Sequence, residues 1–101
     1  MTVRAVERWI GSDHPAAAGH FPDNPIVPGA VILDEVVAAI AAGRPIELIE
    51  IVSAKFLDKV RPGERLLIRW DDAQEGEIRF TCSAGDTDRR IAAGSVRFGA
   101  L

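Results

Sequence analysis

The chain has a single cysteine, Cys82, and no tyrosine. One cysteine cannot close an internal disulfide, which fits a reducing compartment and predicts a cytoplasmic protein. Two histidines and one cysteine are too few for a metal-ligand cluster, so no metal and no other cofactor is expected. There is no run of roughly 18 apolar residues and no basic-then-apolar leader, so neither a membrane span nor a signal peptide is expected. An excess of positive charge is missing too. Lys and Arg number 12 against 15 Asp and Glu, for a net charge of −3, which gives no footprint for nucleic acid. Repeats and low-complexity tracts are also absent. What remains is one stretch of 101 residues, 48% hydrophobic, enough for a single domain with one modest core.

Periodicity divides that domain. Residues 3 to 10 alternate imperfectly and read as a first strand. Residues 30 to 42 hold Val31, Ile32, Leu33, Val36, Val37 and Ile40, spread over most of a helical circumference. A helix apolar all round is a buried helix. Gly43 and Pro45 stop it. The period then switches to two. Ile46 to Leu57 is a long strand whose alternation slips between Ile49, Ile51 and Val52, which predicts a bulge. Arg61-Pro62-Gly63-Glu64 is a turn. Leu66 to Asp71, Ile78 to Ala84 and Ile91 to Phe98 follow as strands, separated by short polar turns. One helix with hairpin-linked strands gives an α+β domain on an antiparallel sheet. Cys82 falls on the apolar side of its strand and is expected in the core, as are Trp9 and Trp70 in the core or at an interface.

Chemistry is concentrated in Gly19-His20-Phe21-Pro22-Asp23-Asn24-Pro25-Ile26-Val27-Pro28-Gly29, which runs straight into the helix and its acids Asp34 and Glu35. Pro22, Pro25 and Pro28 fix their own φ and push the preceding residues toward extended geometry. The loop has little freedom left to lose, so His20 is held in one place. Gly29 falls near the helix N-terminus, where the first N–H groups lack internal partners and carry partial positive charge. Glycine there admits close approach of a ligand oxygen. His14 reads as a loop residue, and Glu35 as a structural one that complements the helix dipole.

This motif, with an acid fourteen positions after the histidine (20 to 34), resembles the β-hydroxyacyl-acyl-carrier-protein dehydratases of the hotdog fold. Lys55 to Glu64 resembles the family's second recurring block, so the likeness covers roughly residues 14 to 70. The compact length looks like the short dehydratases of aryl-polyene and related polyketide clusters. Two departures stand out. The helix position at which family members carry a glutamine is Ala38 here, and the N-terminal segment is short.

The resemblance implies a curved antiparallel sheet wrapped around one long central helix. It implies a homodimer in which His20 of one protomer meets Asp34 of the other, or a heterodimer with a related subunit. Dehydration of a 3-hydroxyacyl thioester takes a proton from C2 and water from C3. It needs a base, an acid, and a donor for the thioester oxygen. His20, with an ordinary pKa of about 6.5, suits the base. Asp34 suits the acid if burial in the apolar helix keeps it protonated. The Gly29 N–H suits the oxyanion, and Phe21, Val27 and Pro28 are expected to line the substrate. The partner would be an acyl carrier protein bearing the thioester. Such a partner is acidic, and Lys55, Lys59, Arg61 and Arg65 outnumber Asp58 and Glu64 across residues 55 to 65. Two rivals are a thioesterase on the same fold and a non-catalytic acyl-thioester-binding or assembly subunit.

Overall fold

The computed structural model describes residues 3–9, 27–71, 76–85 and 88–101. Within them the chain forms β1 (Val3–Trp9), α1 (Gly29–Ala41), β2 (Ile46–Phe56), β3 (Arg65–Asp71), β4 (Glu77–Ala84) and β5 (Arg89–Ala100). All strand pairs are antiparallel, in the order β1-β3-β4-β5-β2. The elements expected from periodicity are all present, with the helix beginning one residue earlier, at Gly29.

Alternation builds the inner face of the sheet. Leu66, Ile68 and Trp70 of β3 lie beside Ile78, Phe80, Cys82 and Ala84 of β4, and Val96 and Phe98 of β5 continue the layer. Successive strand residues point to opposite faces, so one set is buried and the other, with Arg69, Arg79 and Arg97, is exposed. Val31, Ile32, Val36, Ala39 and Ile40 of α1 join this inner layer as one core. Trp70 is 4% exposed and Cys82 1%. Trp9 is not in this core: it is 63% exposed, with its ring under the Arg65 guanidinium, 5.8 Å from its centroid. It sits on the outer face of β1, opposite Arg65.

The helix corrects an expectation. Its apolar residues do not make it buried all round. Ala30, Asp34 and Ala38 form an exposed stripe, with Leu33 and Val37 half-buried beside it. Positions four apart share a helix face, and among the described residues no strand covers this one. No acid lies in the first turn; Asp34 is in the second, where the dipole is weaker. Gly43 ends the helix in the left-handed region, φ 69°, as a residue just past the C-cap should.

Among the described residues β2 pairs on one side only, with β5. The slip in its alternation is real. The register with β5 shifts between Leu48 and Glu50 and between Ile51 and Ser53, leaving Ile49 and Val52 outside the ladder. Leu48, Ile49, Ile51, Val52 and Phe56 are all exposed. An eleven-residue edge strand with apolar side chains uncovered is an unusual thing for a solitary chain to present.

Candidate active site

The site is built where the end of the Pro-rich loop meets the end of β2. Val27 is buried, 5% exposed, and its N–H donates to the Val60 carbonyl at 2.7 Å. This bond fastens Val27 to the segment that follows β2. Pro28 is the N-cap, extended at φ −60° and ψ 147°, the geometry its ring imposes. Its carbonyl accepts from the N–H groups of Val31 and Ile32, at 3.0 and 3.3 Å. Pro28 offers no side-chain cap. Among the described residues no acceptor is recorded for the Gly29 N–H, which leaves it at the positive end of the helix.

Phe56 closes over this end. A Cβ built on Gly29 would stand 2.8 Å from Phe56 Cζ and 3.0 and 3.1 Å from two further ring carbons. Any larger residue would have to displace the ring. Val27, Pro28, Gly29, Ile32, Phe56, Asp58 and Lys59 line an open cavity of about 390 Å³, mostly apolar, at the same place. Three of the residues expected to bind substrate, Val27, Pro28 and Gly29, are thus brought together.

Asp34 is not part of this cavity. Five residues at about 100° each turn it roughly 140° around the helix from Gly29, and it lies exposed on the Ala30–Ala38 stripe. The burial expected for it is not supplied by its own chain. Ala38, where the glutamine would stand, is exposed on the same stripe. His20, Phe21 and His14 lie outside the described residues. Glu35 has a structural partner, Arg8 of β1, with Nε 3.9 Å from its carboxylate.

Beyond the cavity, Arg89 at the start of β5 organises the turn between β2 and β3. It donates to the Lys59 carbonyl at 2.9 Å and pairs with Asp58 at 3.0 Å and Glu64 at 2.7 Å. Asp58 also accepts from the Lys59 N–H at 2.7 Å. That bond first, and Arg89 second, hold its carboxyl below the usual carboxylate range. The acids of the turn are thereby engaged, while the side chains of Lys59 and Arg61 project from it exposed. Sequence reasoning missed Phe56 and Arg89 as parts of the site. Both lie far along the chain from Gly29; the phase of the β2 alternation is a signal for Phe56, and no local pattern marks Arg89.

Comparison with known proteins bears on this arrangement. The family model described as ApeI-like, ApeI dehydratase, matches residues 3–95. A 3-hydroxyacyl-acyl-carrier-protein dehydratase, FabZ, of Chloroflexus aggregans is 40% identical over 74 residues, covering 63% of this chain and 51% of that one. The chain therefore spans about half the length of that curated relative. Among solved structures, an uncharacterized protein of Erwinia carotovora superposes with a TM-score of 0.77 at 26% identity, covering 98% of this chain and 84% of its own. The dehydratase heterocomplex ApeI:P of Xenorhabdus doucetiae gives 0.80 at 21% identity, covering 95% and 86%; at that identity it speaks for the fold, one helix against a five-stranded antiparallel hotdog sheet. With its family model running from β1 through most of β5, the chain belongs to the ApeI-like dehydratase family.

Proposed function

We propose that this protein converts a 3-hydroxyacyl thioester held on an acyl carrier protein to the trans-2-enoyl thioester. The observation that carries the reading is the helix end at Gly29, its N–H at the positive end of the dipole, opening into a mostly apolar cavity in a chain of the ApeI-like dehydratase family. His20 takes the C2 proton. Charge moves onto the thioester oxygen, which accepts from the Gly29 N–H. The C3–O bond breaks and Asp34 gives its proton to the departing hydroxyl, so water leaves. The proton then held by His20 returns to the Asp34 carboxylate through solvent, and the site is reset. Phe21, Val27 and Pro28 line the acyl thioester.

The acid comes from a second protomer. Asp34 faces away from its own cavity on an exposed stripe, and β2 presents exposed apolar residues. A second copy laid along β2 would cover both features and carry Asp34 to the partner's Gly29. The carrier protein approaches the β2–β3 turn, where Lys59 and Arg61 meet its acidic surface. Arg89 helps by taking up Asp58 and Glu64.

Mass spectrometry of a 3-hydroxyacyl carrier protein tests this. Loss of one water with the native protein, gain of one water on the matching enoyl species, and neither with His20→Ala is the expected result. Release of free acid would replace the dehydratase by a thioesterase. Turnover unchanged in His20→Ala would remove the base from the scheme.

A further inference from the structure

We propose that Arg89 is a positioning residue for the helix end at Gly29, acting through Glu64 and the peptide group that joins Val60 to Arg61. Its guanidinium reaches both ends of the turn between β2 and β3. Nη1 donates to the Lys59 carbonyl at 2.9 Å and meets Asp58 Oδ2 at 3.0 Å, while Nη2 donates to Glu64 Oε2 at 2.7 Å. Each carboxylate then spends its other oxygen on the backbone. Asp58 Oδ1 accepts from the Lys59 N–H at 2.7 Å, and Glu64 Oε1 accepts from the Arg61 N–H at 2.8 Å. The Arg61 N–H and the Val60 carbonyl belong to one peptide group, which is planar. Fixing one end of that plane therefore fixes the other. The other end is the carbonyl that accepts from the Val27 N–H at 2.7 Å. From Val27 the chain reaches Gly29 through Pro28, whose φ of −60° is locked by its ring. An orientation set at Arg89 thus passes to the Gly29 N–H with few free torsions in between.

Orientation, rather than stability, is what this network supplies. The side chains of Arg89, Asp58 and Glu64 are 36%, 44% and 32% exposed, and ion pairs so open to water add little to folding. A guanidinium fork, however, fixes direction as well as charge. It is also mounted on a firm base. Ile91, two residues further along β5, is wholly buried, and its carbonyl accepts from the Leu57 N–H at 2.8 Å. Val60 is 2% exposed, so the plane that Glu64 aims is anchored on its apolar side as well. Lysine in place of Arg89 would bring a point charge without the fork, and would serve one carboxylate at a time. The consequence for turnover rests on the dehydratase reading; the relay from Arg89 to Val27 does not.

Two readouts on the full chain test this. Amide exchange by ¹⁵N NMR follows the Val27 N–H directly. Arg89→Gln and Glu64→Ala should each speed its exchange about tenfold, the worth of one hydrogen bond, while the amides of β3 and β4 keep their native rates. The double variant should go no further than either single one, because both lie on one path. Turnover is measured on a 3-hydroxyacyl thioester of a small thiol, so that docking of a carrier protein plays no part. A misaimed donor should lower kcat about tenfold with KM held, less than the roughly hundredfold loss of an oxyanion donor removed outright. Arg89→Lys should recover part of both effects. Native Val27 exchange in Arg89→Gln and Glu64→Ala would overturn the relay, as would a rise matched across β3 and β4, which is general loosening. A freed Val27 with native kcat would overturn the positioning role. A native protein that dehydrates nothing would refute the function proposed above, and the Val27 amide would still decide the relay.

Discussion

One added carbon at Gly29 would lie 2.8 Å from Phe56 Cζ, closer than carbon atoms pack. The ring belongs to the last residue of β2 and is 48% exposed, so it can swing away, but only by uncovering the helix end. Gly29→Ala is therefore expected to cost about 1–3 kcal/mol through overpacking, and to lower turnover by more than the stability loss explains. Phe56→Ala in the same chain should restore stability, seen as recovery of the urea midpoint. If Gly29→Ala alone melts like the native protein, the ring does not hold the helix end as described. At Gly94 the neighbours of an added Cβ include the Ser53 carbonyl oxygen and Ala54 Cα. Backbone cannot swing away, so Gly94→Ala should be the more damaging of the two. Cys82 is legible in a different way. Burial pushes its thiol from an ordinary 9.0 up to about 12. Between those values the unfolded chain loses a proton that the folded chain keeps. Stability should fall by about 1.4 kcal/mol per pH unit over that window, and be unaffected by this group below it. With no tyrosine and two lysines, few other groups titrate there. Urea unfolding at pH 8 and pH 10.5 should show the drop in the native protein and a smaller one in Cys82→Ala. Equal drops would assign the alkaline loss elsewhere.

Among the elements, β2 and α1 separate what a sequence can show from what it cannot. The bulges of β2 were legible because two-residue alternation fails visibly at Ile49 and Val52, and the register shifts fall beside those residues. The helix was legible in extent, since Gly43 and Pro45 cannot continue it. Its burial was misread. Composition says how much of a helix is apolar, while the depth of burial depends on what is packed against each face. Val36 is wholly buried and Val37, one residue on, is half-open. Sequence placed Gly29 at the helix start, and it lies there, but the Phe56 ring above it is a long-range contact that no local pattern encodes. Apolar residues standing exposed along a free strand edge point to pairing with a second strand. Ile51→Glu tests this. Ile51 is 43% exposed, so the charge should cost the lone chain little. Within a paired edge it would be buried or set against its own symmetry mate. Light scattering should show a dimer for the native protein and a monomer of native circular dichroism for the variant. A monomeric native protein would refute the pairing, as would a variant that stays dimeric.

For the whole molecule the relation that matters is between the cavity at Gly29 and Asp34, the acid proposed above, which the described residues keep apart. Val27, Pro28 and Gly29 gather around one cavity, and Asp34 faces away from it on the uncovered side of the helix. A two-fold arrangement answers this, because each protomer then gives and receives the same groups. It has a consequence that no site contained within one chain could share. His20→Ala leaves one protomer without a base, and Asp34→Asn leaves the other without an acid. Each homodimer is dead at both sites. A mixed dimer has one site that receives both lesions and one that receives neither. Random exchange of equal amounts makes half of the dimers mixed, so about a quarter of the native activity should return. The exchange itself is read by native mass spectrometry, with one variant isotopically heavy. Mixed dimers without recovered turnover would confine both residues to a single chain. Recovery near the quarter value would establish that the base and the acid come from different protomers.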